Sequence, residues 1–182
     1  GQWYIFYHHN DYSPEFDKNR SARIDTIGFN PDGTIIKVIP TLRGVGNSDA
    51  RTQIQIDRYS EIAPTASIAY LNEDNKFDGW KTLFKKSGAW VKYNRVEFGQ
   101  EPVKQVKFRV LAPKGAKLEV SIAGGKSIAT VNVPRSNNWE IVSAPVKKSP
   151  TGLQDLKITL KSGQAEVDWM IFDAKPWTAG GM

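Results

Sequence analysis

Cysteine is absent from the 182 residues. That excludes disulfides and thiolate metal sites, and it leaves the redox compartment unreadable. No apolar run approaches the roughly 18 residues that a membrane-spanning helix needs. No convincing amphipathic helical pattern is present, and no Ser-His-Asp arrangement, phosphate-binding loop or Cys/His cluster suggests catalytic chemistry. A signal peptide is also missing, but the chain opens on Gly1 and reads as a piece of a longer protein, so export stays open.

What is present is a β-type pattern. Composition, 40% hydrophobic and 24% charged, suits one ordinary domain with a small appendage, or two small ones. Net charge is +6, yet residues 1–48 hold five acids and five bases, so the whole excess lies beyond them. There the lysines are scattered between candidate strands, as in Lys85-Lys86 and Lys147-Lys148. Nucleic-acid binders concentrate charge on a stripe, so the pattern reads as a solvated surface.

Three strands are predicted near the start: Trp3–His8, Arg23–Phe29 and, after the turn Asn30-Pro31-Asp32-Gly33, Thr34–Ile39. They are too few for a core of their own. Residues 40–49 carry the Gly and polar content of a linker. Ten candidate strands follow: Thr52–Asp57, Ala66–Leu71, Trp80–Phe84, Ala89–Phe98, Val103–Leu111, Lys117–Ile122, Ser127–Val133, Trp139–Ala144, Leu153–Leu160 and Glu166–Phe172. Gly124-Gly125-Lys126 and Lys161-Ser162-Gly163-Gln164 read as hairpin turns. The spacing predicts an all-β sandwich or barrel.

One acid stands out. In Ala165–Phe172, Ala165, Val167, Trp169 and Ile171 share a parity that predicts a core face, and Asp168 sits inside the run. A carboxylate there needs a partner. Gln55-Ile56-Asp57 offers a similar pattern, and if their strands are neighbours, Asp57 and Asp168 can flank a hard cation.

Four ordered pieces carry a resemblance. They are Ile54-Gln55-Ile56-Asp57-Arg58-Tyr59, the run from Gly88-Ala89-Trp90-Val91-Lys92-Tyr93 to Phe98-Gly99, Asn138-Trp139, and Val167-Asp168-Trp169. Together they resemble a family-6 carbohydrate-binding module, a jelly-roll β-sandwich of galactose-binding-like type, covering about residues 47–175 with a tail at 176–182. Trp3–His8, Arg20–Asp25 and Phe29–Ile35 resemble the last propeller blade of glycoside hydrolase family 43, giving a remnant blade and linker at 1–46. That family includes β-xylosidases and α-L-arabinofuranosidases.

The resemblance implies a sugar held between two aromatics at a loop end. Trp139 matches one, and Phe84 stands where the other, usually Tyr, falls. The accompanying Asn is Glu166 here, which accepts hydrogen bonds but cannot donate when ionised; Asn137 or Asn138 can compensate. The competing reading makes Trp139 and Phe84 packing residues. Trp80, Trp90 and Tyr93 are candidates for a concave binding face, with core packing favoured for Trp90 and Trp169. Asp57, Asp168 and Gln55 are expected to hold a structural calcium ion; the alternative is that the two acids pair with Lys or Arg.

The expected function is non-catalytic binding of xylan, arabinoxylan or a related plant cell-wall polysaccharide beside a catalytic propeller, in a secreted or periplasmic enzyme. Neither nucleic acid nor a membrane span is expected. The family inverts with two carboxylates roughly 6.5–9.5 Å apart. Both belong to earlier blades, so no catalytic residue is assigned. His8 matches a residue near the propeller axis, or is an ordinary strand residue, and Arg20 or Arg23 faces substrate in the parent enzyme. Two alternatives are a module that docks the catalytic domain and a fragment with residual glycosidase activity.

Overall fold

The computed structural model describes residues 1–10 and 21–173. Strands β1 (Trp3–His9) and β2 (Ser21–Ile27) form an antiparallel pair by themselves. Two larger sheets hold the remaining strands: β3 (Ser48–Asp49), β4 (Ile54–Gln55), β5 (Glu61–Ile62), β6 (Ala66–Tyr70), β7 (Trp80–Phe84), β8 (Trp90–Glu97) and β9 (Gln105–Ala112). They continue with β10 (Ala116–Ile122), β11 (Lys126–Val133), β12 (Ser136–Pro145), β13 (Leu153–Gly163) and β14 (Ala165–Asp173).

The first sheet runs β11-β10-β13-β8-β3, with β5 also on β8. The second runs β12-β9-β14-β7-β6, with β4 also on β14. All ten strands predicted beyond the linker form, Trp80–Phe84 with the predicted ends and the others with shifted ones, Thr52–Asp57 shrinking to Ile54–Gln55. Their alternation explains the sandwich: on β9, Val106, Phe108, Val110 and Ala112 are buried, while Gln105, Lys107, Arg109 and Leu111 face out. Opposite them the first sheet buries Val91, Tyr93, Leu118, Val120, Leu156, Ile158 and Leu160. Each such side chain is worth about 1.5–3 kcal/mol of burial. Phe98 and Phe172 meet edge to face at 5.0 Å inside this core.

Three expectations change. Thr34–Ile39 does not form a strand; a single bridge joins Phe29 to Ile35, and Ile35, Ile36 and Ile39 stay exposed. Lys161–Gln164 is not a hairpin turn, because β13 and β14 belong to opposite sheets. The crossing requires Gly163, at φ +80°, where an added Cβ would lie 2.1 Å from the Gly115 carbonyl oxygen. The linker is docked: Leu42 is buried, and the Leu42 and Arg43 amides both donate to the Tyr59 carbonyl.

The docked linker also joins the N-terminal hairpin. Buried Asp25 accepts from the Tyr7 hydroxyl at 2.5 Å, the Thr41 amide at 3.0 Å and the Thr41 hydroxyl at 2.6 Å. Burial, reinforced by the bond to Asp25, pushes the Tyr7 phenol up to about 12.

Candidate carbohydrate-binding face

The outer face of the second sheet is shaped by one extra residue. Val167 pairs with Val110 and Trp169 with Arg109, so Asp168 is a β-bulge between adjacent partners. The bulge reverses the parity of β14. Before it Ala165 and Val167 point into the core; after it Met170 and Phe172 do. Trp169 and Ile171 therefore turn outward, which corrects their expected place in the core.

Beyond the bulge, Trp169 and Ile171 line a groove of about 340 Å³ with Ile141, Gln53, Gln105, Ser143 and Lys107. Ile141 lies across from Arg109 and Ser143 across from Lys107, so strands β12, β9 and β14 build the groove in register. An indole face and aliphatic carbons beside amides and a hydroxyl suit the C–H faces and hydroxyls of a sugar.

On the other side of the bulge, Leu83, Glu166 and Leu111 form a row across β7, β14 and β9. They line a separate hollow of about 400 Å³ at the strand ends. Glu166 does reach this loop end, as the sequence suggests, but it is ion-paired with Lys81 at 2.8 Å. Phe84 does not offer its ring there. It is 1% exposed and points into the sandwich with Thr82, so the two-aromatic clamp with Trp139 is not formed.

Trp139 is half-buried in the irregular stretch of β12 between Ser136 and Glu140. Its ring lies under the Arg109 guanidinium, 4.9 Å from the centroid. Asn137 and Asn138 are exposed, and the Asn138 amide donates to the Ser136 hydroxyl.

Arg109 is also the partner of Asp168, donating from Nη1 to Oδ2. The strands bearing the two acids are neighbours, as expected: the Ile56 amide donates to the Asp168 carbonyl at 2.8 Å. Asp57 is buried, with the Arg58 guanidinium 3.5 Å from its carboxylate, and Gln55 pairs across from Trp169. Calcium takes roughly 6–8 oxygen ligands. Among the described residues no three Asp, Glu or His side chains converge, and Arg109 already compensates Asp168. The Arg109–Asp168 and Arg58–Asp57 pairs are of the kind the ion-pair alternative describes; a calcium ion would need backbone carbonyls beside Asp57, Asp168 and Gln55.

The remaining candidates are dispersed. Tyr93 is a core residue whose hydroxyl donates to the Ile56 carbonyl at 2.6 Å, and burial holds its pKa well above the ordinary value. Trp80 stacks on Tyr70 at 4.2 Å. Trp90 is not in the core: it is half-buried on the outer face of the first sheet, with the Lys157 ammonium 4.5 Å from its ring. His8 is exposed, Arg23 is buried, and Arg20 lies outside the described residues. Sequence reasoning missed the outward turn of Trp169 and Ile171; its signal was the apolar pair Met170 and Phe172, out of phase with Ala165 and Val167.

Comparison with known proteins supports this architecture. The chain is similar over 96% of its length to a glycoside hydrolase family 43 arabinoxylan arabinofuranohydrolase from Bacillus subtilis, solved with cellotetraose. Identity there is 21% and the TM-score 0.67, and this chain spans 39% of that enzyme. A module from Clostridium stercorarium in complex with cellobiose shares 23% identity, with a TM-score of 0.63 over 71% of this chain and 98% of that one. A family-6 carbohydrate-binding module from Clostridium cellulolyticum, in complex with xylose, shares 22% identity with a TM-score of 0.61, over 69% of this chain and 99% of that one. A search of curated protein sequences finds no match. The model of carbohydrate binding module family 6 matches residues 65–174, more than half of the chain, and the chain belongs to that family.

Proposed function

We propose that this chain is the glycan-binding part of a larger polysaccharide-degrading enzyme of the family-43 kind, and that it holds xylan or arabinoxylan on the outer face of the second sheet. The observation that carries the reading is the groove beyond the Asp168 bulge, where Trp169 offers a ring face between aliphatic and amide side chains. A sugar ring laid on Trp169 gains apolar contact, and Gln53, Gln105 and Ser143 supply hydrogen bonds that fix its orientation. The xylose-bound relative supports the substrate class. Holding the polymer near a tethered active site raises the local substrate concentration without new catalytic contacts. A polymeric plant cell-wall ligand is consistent with a secreted or periplasmic protein.

The N-terminal hairpin supports a larger neighbour. Trp3 and Phe6 are 63% and 76% exposed, and Ile35, Ile36 and Ile39 are also bare. Apolar surface of this kind marks an interface, and a remnant propeller blade missing its catalytic neighbours has that shape. Trp139 packs on Arg109 of its own sheet, so it gives no support to a purely docking role.

Calorimetric titration with xylo-oligosaccharides tests the proposal. Binding that is lost in Trp169→Ala, kept in Phe84→Leu and insensitive to salt supports it. No heat with xylan, arabinoxylan or cello-oligosaccharides overturns it.

A further inference from the structure

The hollow on the near side of the bulge has a chemistry different from the groove. Its floor is aliphatic, formed by Leu83, Leu111 and Pro113, and no exposed aromatic ring lines it, because Phe84 is turned inward. Lys85 and Lys114 stand at its rim. Both are exposed, and among the described residues neither is ion-paired. The one acid in the hollow, Glu166, is already neutralised by Lys81. Gln164 donates from its side-chain amide to the Lys85 carbonyl at 3.1 Å, which ties the Lys85 loop to the start of β14. Two uncompensated ammonium groups thus flank an apolar floor of about 400 Å³, within the size range of ligand sites.

We infer that this hollow takes a sugar bearing a carboxylate, a uronic acid residue, and not a neutral pentose. The ring's C–H face lies on Leu83, Leu111 and Pro113. The carboxylate lies between the Lys85 and Lys114 ammonium groups, and Gln164 and the paired Glu166 meet the ring hydroxyls. Apolar floor and cationic rim each do part of the work: a neutral sugar leaves both lysines without a counter-charge, and a free carboxylate leaves the floor uncovered. The inference goes beyond the groove reading, since the two sites lie on opposite sides of the bulge and share no lining residue.

The test compares xylotetraose with xylotetraose carrying one glucuronic acid branch, by titration at low and high salt. At low salt the branched ligand is expected to bind about tenfold tighter, the equivalent of two modest exposed charge contacts. High salt should erase the difference. The double substitution Lys85→Gln and Lys114→Gln should remove the preference while leaving the unbranched affinity intact. Trp169→Ala should weaken the unbranched ligand and leave the uronate-induced amide shifts of Lys85 and Lys114 in NMR spectra. Equal affinities at low salt, or a preference that survives the double substitution, overturn the uronate assignment and leave the groove reading standing. If the unsubstituted protein does not bind xylotetraose yet shows the uronate shifts at Lys85 and Lys114, the groove reading is overturned and this one stands.

Discussion

The two ends of the sandwich's outer face share strands β9 and β14 and differ in most of what a ligand would meet. Beyond Asp168 the face presents Trp169 and Ile171 beside amides and Lys107; before it, Leu83 and Leu111 beside Lys85 and Lys114, with no exposed aromatic ring. One inserted residue separates them, because a bulge flips every later side chain of β14 to the opposite face. The lesson is that binding character in a sheet is set by register as well as by composition. Without the bulge, Trp169 would fill the core and Phe172 would face solvent.

That contrast can be broken in graded ways. The largest effect is expected at Phe84: if its ring is core and not a sugar platform, Phe84→Ala costs about 3–5 kcal/mol in denaturant unfolding, with glycan affinity unchanged in the folded fraction. Arg109→Ala comes next. It leaves the buried Asp168 carboxylate without its cation at the bulge, and a loss of about 2 kcal/mol is expected, below the full buried-pair value because Arg109 is partly exposed. The same variant should shift the indole resonance of Trp139, whose ring lies under that guanidinium. Trp169→Ala should weaken xylo-oligosaccharide binding by about 2 kcal/mol, a typical aromatic hot spot, with little change in melting temperature.

Smaller effects sharpen the account away from this face. The Tyr7 phenol titrates near 12 in the fold and at its ordinary value of 10 when unfolded. The folded state therefore holds its proton more tightly, so the contribution is complete below pH 10 and is lost as pH rises toward 12. The melting temperature should fall further across that window in the native protein than in Tyr7→Phe. Chelator treatment separates the two readings of Asp57, Gln55 and Asp168: a clear drop in melting temperature supports calcium, and an unchanged value supports the arginine pairs.

Most of the strands were legible because their periodicity is clean. Val106, Phe108, Val110 and Ala112 alternate with polar or half-exposed neighbours, and only a sheet with one buried face makes that pattern. The pairing of the Asp57 and Asp168 strands was also legible. The bulge was not, since Val167-Asp168-Trp169-Met170-Ile171-Phe172 offers apolar residues on both parities and sequence alone does not choose the phase. Phe84 failed for a related reason: spacing from Trp90 located it at the right loop end, but one step of pleat decides between Leu83 and Phe84 as the outward residue. Lys161–Gln164 misled because Gly and polar residues serve a hairpin and a sheet-to-sheet crossing equally well. Thr34–Ile39 has strand composition, yet it needs a neighbouring strand that the described residues do not provide.

The most direct test is NMR mapping of the tryptophan indole N–H signals during titration with xylohexaose, each assigned by single Trp→Phe substitution. The account predicts that Trp169 moves first and furthest, with side-chain amides of Gln53 and Gln105 following and Trp90 unmoved. Saturable binding that leaves Trp169 still would contradict it.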